Sequence, residues 1–262
     1  MRLTHLADYA VVIMTAPFPT RKQEEWRYAD LNALEPVWDR FAEPVTVTVG
    51  AGEGFEEVWL PTDEDVHVKR VSIALGKGAK ARIFALNNTA VYGRIEIEVS
   101  LEADAEFALF AANIGNGQST NEVVTNVRHL GESGRSRQTV RSVLGGKAIG
   151  SYLGKVEVAR GAQQTDGEQS VKAMLLDRGA TANCKPELEI FADDVKCAHG
   201  ASVGELDPMQ MFYAESRGLD PASARALLLE GFIMGLWDDI ADETQREAIC
   251  NAARDALRKA AK

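Results

Sequence analysis

The chain has 262 residues, of which 39 are acidic and 29 are Lys or Arg, so its formal net charge is −10 at pH 7. This acidic balance, without any Lys/Arg-rich run, argues against binding to nucleic acid or to an anionic membrane. A chain of this length buries roughly 70–75% of its unfolded surface, enough for one large domain or a domain with an appendage. The three cysteines lie far apart and form no CxxC pair, which indicates a reducing compartment.

The first part of the chain, residues 1–42, reads as a short N-terminal helical segment. Residues 10–16, AVVIMTA, are the end of a helix or an apolar packing segment. They are too short to span a bilayer and lack the basic flank of a signal peptide, so we expect a cytoplasmic protein. After two prolines, the stretch 20–34 predicts a short helix with Thr20 as its N-cap and Trp26 as its anchor on the body of the protein.

From Val45 to about residue 200 the hydrophobic period is two. Alternation in this region places Ile97 inward and Glu96 and Glu98 outward, on a solvated strand face. Glycines supply turns at fairly even intervals, and no useful helical pattern interrupts the strands, which excludes a βαβ sheet. A sandwich, a barrel and a β-helix stay open, because no clean repeat period is visible. The close recurrence of strands with only small turns favours the β-helix.

The C-terminal part of the chain predicts three helices. The pairs Asp207-Pro208 and Asp220-Pro221 each combine an N-cap with a first-turn proline, and each capping Asp contributes about 1 kcal/mol relative to Ala. A third helix begins near Asp242. These helices dock on the β domain, dimerise or bind a partner.

The predicted helical domain, residues 205–262, also carries the candidate partner surface. Its second helix is apolar almost all round, which favours burial on both sides and therefore contact with another protein. The candidate partner-binding residues are Phe212, Tyr213, Arg217, Leu228, Phe232 and Trp237.

Cys197 and His199 are the candidate metal-binding residues. At a spacing of two on a strand, their side chains leave the same face, roughly 6 to 7 Å apart. Gly200 follows and permits a bulge or a close backbone approach. Two interpretations stay open: a small metal or cluster site, or a buried Cys and a satisfied His at a strand end. One strand cannot complete a ligand set by itself.

Several catalytic motifs are missing from the sequence. It contains no GxxxxGK[ST], no GxSxG, no HExxH and no GxGxxG that opens a helix. The chain is therefore not a P-loop ATPase by itself. Carboxylate pairs such as Asp193 with Asp194 are common in an acidic protein and carry little weight for acid-base catalysis.

Residues 150–233 contain three recognisable blocks, AQQTDGEQ, KPELEIFADDVKCAHGAS and FYAESRGL. These blocks closely resemble sequences of the SufB/SufD superfamily of the SUF iron-sulfur cluster assembly system. The KCxHGA motif resembles that of its SufD branch. TRKQEEWRYADL near the N-terminus resembles the entry motif of the same family. Residues 45–145 resemble the family mainly in their strand-like pattern and not in specific motifs.

The resemblance implies a mainly β protein with a right-handed parallel β-helix core, residues 43–204, flanked by the two helical regions. It also implies a non-catalytic scaffold with two partners. A SufB-type paralogue would pair through the β-helix, and a SufC-type ABC ATPase would dock on the C-terminal helices and supply ATP hydrolysis. When alone, the chain would form a homodimer through the surface that it uses for the paralogue.

In this family the His of the KCxHGA block lies at the interface of the two β-helices, where the nascent cluster assembles. That position is His199 here, and Cys197 is its neighbouring Cys. The implied cofactor is iron or an iron-sulfur cluster, transient and shared with the partner, with none tightly bound in the isolated chain. Cys184 and Cys250 are assigned no function.

The sequence leaves two alternative functions open. One is a structural homodimer in which His199 is simply buried. The other is an exported enzyme that acts on polysaccharides along a β-helix groove, which the missing signal peptide disfavours.

Overall fold

The computed structural model describes residues 16–261, so the interpretation of residues 1–15 as a helix end or packing segment lies outside the described residues. The described part contains twelve strands and four α-helices. The strands are β1 Val45–Val49, β2 Gly54–Trp59, β3 Val66–Leu75, β4 Lys80–Asn87, β5 Tyr92–Leu101, β6 Glu106–Gly115, β7 Thr120–His129, β8 Arg135–Leu144, β9 Ile149–Val158, β10 Asp166–Leu175, β11 Thr181–Ile190 and β12 Lys196–Gly204. The α-helices are α1 Leu31–Leu34, α2 Pro208–Ser216, α3 Pro221–Ile233 and α4 Glu243–Ala260.

Consecutive strands alternate between two parallel six-stranded sheets. The first sheet has the order β1-β3-β5-β7-β9-β11 and the second has the order β12-β10-β8-β6-β4-β2. Each pair of strands therefore makes one coil of a parallel β-helix, and the inward side chains of both sheets form one continuous apolar core. This confirms the prediction of a mainly β chain with a β-helix core and C-terminal helices.

The coils lengthen along the chain. Val45, Val71 and Ile97 align in register at intervals of 26 residues, and Thr125, Gly154 and Pro186 continue the same row at intervals of 28, 29 and 32. The added residues enter at the turns, because the paired segments of neighbouring strands stay in step. A sequence search for one fixed repeat therefore finds none, although the fold is built from repeated coils.

The N-terminal segment differs from the helix predicted over residues 20–34. It consists of 3₁₀ turns at Glu24–Trp26 and Glu35–Arg40 with the single-turn helix α1 between them. Thr20 is not an N-cap, because the first 3₁₀ turn begins at Glu24 and its N-cap position is Gln23. Tertiary contacts override helix propensity here: Trp26 is buried, as predicted, against the outer face of the first sheet.

A buried charge network lies under this segment. Arg94 has no exposed surface, and its guanidinium lies 2.7 Å from Glu96 and 3.2 Å from Glu122. Trp26 covers it at 3.7 Å from ring centroid to guanidinium carbon. The prediction that Glu96 belongs to a solvated face is therefore wrong, since the N-terminal segment closes over that face, while Glu98 is exposed.

Helices α3 and α4 cover the outer face of the second sheet. Asp207, Asp220 and Asp242 cap α2, α3 and α4 by accepting hydrogen bonds from backbone N–H groups of the first turn, which confirms the predicted helix starts. The second helix ends at Ile233 and continues only as a 3₁₀ turn, Met234–Trp237. No helix in the described part of the chain is long and apolar enough to cross a bilayer.

Candidate functional site

The last coil of the β-helix, formed by β11 and β12, carries the predicted metal-binding residues. β11 pairs only with β9, and β12 pairs only with β10, so within residues 16–261 both strands have an outer edge without a partner strand. The side chains of this coil are far more exposed than those of the inner coils. The structure thus places the candidate site at an open end of the solenoid.

Cys197 lies on β12 with its side chain turned toward the core. Its register partner is Gly167, and a methyl group at that glycine would lie 3.3 Å from the Cys197 sulfur. The thiol packs against the end of the core cluster, and burial raises its pKa. The thiol is therefore protonated at neutral pH, and a metal would have to displace that proton in order to bind the sulfur.

His199 lies two residues further along β12 and is exposed. Its register partner is Gln169, and the two residues border one shallow cavity of about 410 Å³. Over the described chain, the imidazole makes no hydrogen bond. The predicted spacing is thus realised, but the environments differ, since the thiol faces inward and the imidazole is accessible.

These residues do not form a complete metal site. In the described range, no three His, Cys, Asp or Glu side chains converge in an arrangement that could hold a metal ion. Cys184 on β11 packs half-buried against the core, as predicted, and burial raises its pKa. Cys250 is half-buried among the C-terminal helices.

A polar ladder inside the β-helix leads toward this end and was missed from the sequence. Tyr152 donates to the side-chain oxygen of Gln138 at 3.1 Å and accepts from the side-chain amide of Gln169 at 2.9 Å. Thr125 donates to the same oxygen of Gln138. All four residues are buried, and burial raises the pKa of Tyr152 to about 12. The neutral phenol can therefore serve as a fixed hydrogen-bonding group in the core.

Gly154 makes this ladder possible. A methyl group at Gly154 would lie 2.0 Å from the Tyr152 hydroxyl oxygen and 2.6 Å from the Gln169 amide nitrogen. The signal available in the sequence was the strand phase. Gln138 and Gln169 occupy positions that the alternation of β8 and β10 directs inward, where apolar residues are the rule.

Helix α2 presents an apolar surface on the C-terminal domain. Phe212 is 66% and Tyr213 is 61% exposed, and Arg217 lies over the Tyr213 ring at 5.1 Å. A second cavity of about 410 Å³ borders Tyr213 and the half-buried Leu228. Tyr213, Arg217 and Leu228 thus border one accessible cavity, and Phe212 is exposed on helix α2.

The other two partner-binding candidates lie beneath the domain. Trp237 has no exposed surface, because it packs between the helices and the outer face of the second sheet. Its assignment to a partner surface is therefore wrong. Phe232 is half-buried in the same cluster, with Arg141 of β8 over its ring at 5.8 Å. The all-round apolar character of α3 thus reflects contact with its own β-helix.

Comparison with protein families identifies the core. The family model described as "SUF system FeS cluster assembly, SufBD core domain" matches residues 50–232, more than half of the chain. The chain belongs to the SufBD family. The match runs from the first coil of the β-helix through β12 to helix α3, so His199, Cys197 and the polar ladder all lie within the SufBD core.

Named members of the SufBD family are similar to parts of this chain. An iron-sulfur cluster assembly SufBD family protein of Synechocystis is 31% identical over 178 residues, 68% of this chain and 39% of the relative. Escherichia coli SufD is 36% identical over 114 residues, 44% of this chain and 27% of the relative. Bacillus subtilis SufD is 31% identical over 120 residues, 46% of this chain and 28% of the relative. The matched region thus spans well under half the length of each relative.

Proposed function

We propose that this chain is a non-catalytic scaffold for iron-sulfur cluster assembly whose site is completed by another protein. The observation that carries the proposal is His199, an exposed imidazole on a terminal strand with an open edge. Its own chain, over the described residues, brings no converging set of ligands to it. An accessible ligand at an open β edge fits a site shared between two proteins.

The partner at the open end is a SufB-type paralogue. Backbone N–H and C=O groups at the outer edges of β11 and β12 can pair with strands of a second β-helix of similar coil dimensions. Ile190, Phe191 and Val203, which are 39%, 54% and 49% exposed, add apolar area on the same coil. In the absence of the paralogue, the same edges would form the homodimer.

The partner at helix α2 is a SufC-type ATPase. The exposed aromatic side chains of α2 and the cavity beside them form an apolar docking surface, and its aromatic and Arg residues are of the types that dominate interface energies. The chain lacks a P-loop sequence, so nucleotide hydrolysis would come from this partner and act on the scaffold through the C-terminal domain.

Iron or the nascent cluster is the cargo of this site. An imidazole nitrogen suits iron, and a thiolate suits iron and its clusters. His199 would supply the accessible ligand, and Cys197 would join it when its proton is displaced. The remaining ligands would come from the SufB-type partner, so the cargo would be held transiently.

The test is anaerobic reconstitution of this chain with its SufB-type and SufC-type partners. His199→Ala should leave complex assembly intact, because the side chain is exposed and makes no hydrogen bond to any of residues 16–261, but should lower bound iron several-fold. His67→Ala is the matched control, since His67 lies on β3 in the opposite half of the β-helix. Unchanged iron loading in His199→Ala would overturn the site. Failure of the intact chain to recover either partner would make the structural homodimer the leading account.

A further inference from the structure

The side-chain oxygen of Gln169 is a buried polar atom to which no residue of the polar ladder donates a hydrogen bond. The residue is 1% exposed, and its side-chain amide nitrogen donates to Tyr152. Its side-chain oxygen is also buried and has no hydrogen-bond partner among the described residues. Buried amide oxygens are rarely left without a donor, so this oxygen indicates a partner that the arrangement does not yet engage.

The orientation of this amide follows from the ladder. Gln138 accepts hydrogen bonds from both Thr125 and Tyr152 through one side-chain oxygen. The Tyr152 hydroxyl has thereby used its only proton, so toward Gln169 it can only accept. With Gln138 oriented in this way, the NH₂ group of Gln169 faces Tyr152, while the NH₂ group of Gln138 is itself buried and has no partner among the described residues. The side-chain oxygen of Gln169 is left free for a donor elsewhere.

The nearest suitable donor by position is His199. It is the register partner of Gln169 on the adjacent strand and lies in the same strand phase, so the two side chains leave the same face of the sheet. Directly paired positions of neighbouring strands are about 5 Å apart, within reach of a glutamine and an imidazole. Ser170 and Lys172 border the same cavity, but they occupy the opposite phase of β10.

We propose that Gln169 is a positioning residue for His199. The oxygen of Gln169 accepts a hydrogen bond from one ring N–H of His199 when the ring turns about its Cα–Cβ bond toward β10. This bond fixes the proton on that nitrogen and leaves the other nitrogen unprotonated for a metal. The inference rests on the proposed function only in taking His199 as a ligand, since the hydrogen bond itself requires neither metal nor partner.

The experiment measures the tautomer of His199 by ¹⁵N NMR of its ring nitrogens in the full chain at one fixed alkaline pH. In the wild type, the ratio of the two ring tautomers should differ from that of free histidine by about three- to tenfold, which is the range that one net hydrogen bond supports. Gln169→Met, which removes the acceptor at similar length, should return the ratio to the free value. Gln169→Glu, which keeps an acceptor oxygen, should preserve the preference.

Val171→Ala is the control for general loosening of β10. Val171 is the next inward residue on that strand, is 1% exposed, and offers no acceptor, so its truncation should leave the tautomer ratio unchanged. A wild-type ratio equal to that of free histidine would overturn the proposal even if no Gln169 variant folds. An equal ratio in wild type and Gln169→Met would do the same.

The two proposals fail separately. If His199→Ala leaves iron loading unchanged, the cluster role falls, while a measured Gln169-dependent tautomer would still stand. If the tautomer ratio of His199 does not depend on Gln169 but His199→Ala lowers iron loading, the ligand role stands and the positioning role falls. In the reconstituted complex, Gln169→Met should lower bound iron in the same direction as His199→Ala, but by a smaller factor.

Discussion

Buried charges in this protein are held by close partners. Burial alone opposes the charge on Arg94, yet the facing Tyr92, Glu122 and Glu96 hold its pKa above the usual value. Burial raises the pKa of Glu122, whereas at Glu96 the two neighbouring guanidinium groups outweigh burial and lower the pKa. The network joins the N-terminal segment to the first sheet. Removing one member would leave the others desolvated and unpaired, which costs more than an exposed ion pair contributes.

His129 links stability to pH. It lies inside the β-helix with its Nε2 atom 2.8 Å from the Ser136 hydroxyl, and burial lowers its pKa to about 4. The unfolded chain has the ordinary value near 6.5, so between these values only the unfolded state binds the proton. The free energy of unfolding should therefore be highest above pH 6.5 and should fall by up to roughly 3 kcal/mol as the pH drops to 4.

The measurement is urea denaturation at several pH values for the wild type and for His129→Gln. Gln can keep the hydrogen bond to Ser136 but does not titrate, so the difference in unfolding free energy between the two proteins isolates the histidine. That difference should change by about 1.4 kcal/mol per pH unit within the window and level off outside it. A difference independent of pH would contradict the buried neutral imidazole.

Helix α2 differs from the other two long C-terminal helices in what it covers. α3 and α4 contribute apolar residues to the cluster that packs on the second sheet, whereas α2 keeps Met209, Phe212 and Tyr213 exposed. A helix that leaves aromatic side chains in solvent adds little to the stability of its own domain. Its surface is therefore expected to act in binding rather than in folding.

Phe212→Ser should separate these two roles. Because the ring is 66% exposed, the unfolding free energy should change by no more than about 0.5 kcal/mol. Recovery of the SufC-type ATPase with this chain should fall at least tenfold, a loss in the range typical of an aromatic interface residue, while the SufB-type paralogue is retained. Co-purification of the three proteins is the measurement.

Phe191→Ser is the matched control for that experiment. Phe191 is 54% exposed but directly follows β11 on the terminal coil of the β-helix and is not part of α2. Its substitution removes the same side chain from the surface and should leave the ATPase bound. Equal loss of the ATPase in both variants would show that the effect of Phe212 is not specific to the α2 surface.

At the scale of the whole molecule, the C-terminal domain covers the apolar outer face of the second sheet. Phe84, Leu86, Ile114 and Val143 point outward from the second sheet and are at most 3% exposed, because α3, α4 and the 3₁₀ turn between them cover them. The family's β-helix and the helical domain are therefore coupled in stability. The helices therefore contribute to the stability of the β-helix in addition to offering a docking surface.

Deletion of residues 205–262 should consequently damage the β-helix. The uncovered apolar face is a patch of the kind that soluble proteins rarely expose, so the truncated chain should aggregate or bind the dye ANS strongly. Static light scattering and ANS fluorescence would show this, with the intact Phe212→Ser chain as the folded control. A monodisperse truncated chain with unchanged far-UV circular dichroism and no ANS binding would contradict the coupling.

The sequence by itself determined the elements whose signals are local. Inward and outward alternation identified the strands, the Asp caps located the starts of the C-terminal helices, and the KCxHGA block located His199 and Cys197. Each of these depends on residues within a few positions of one another, where strand periodicity, capping chemistry or a short motif acts directly. The family assignment from three short blocks was confirmed by the family model that matches residues 50–232.

Only the tertiary structure decided which surfaces are covered. Glu96 has the pattern of a solvated strand residue and Trp237 that of a partner contact, yet both are buried by segments distant in sequence. Likewise, Gln169 bonds to Tyr152, 17 positions earlier, and its register partner is His199 on β12. Burial and cross-strand register depend on coil lengths that vary from 26 to 32 residues, so no local pattern encodes them.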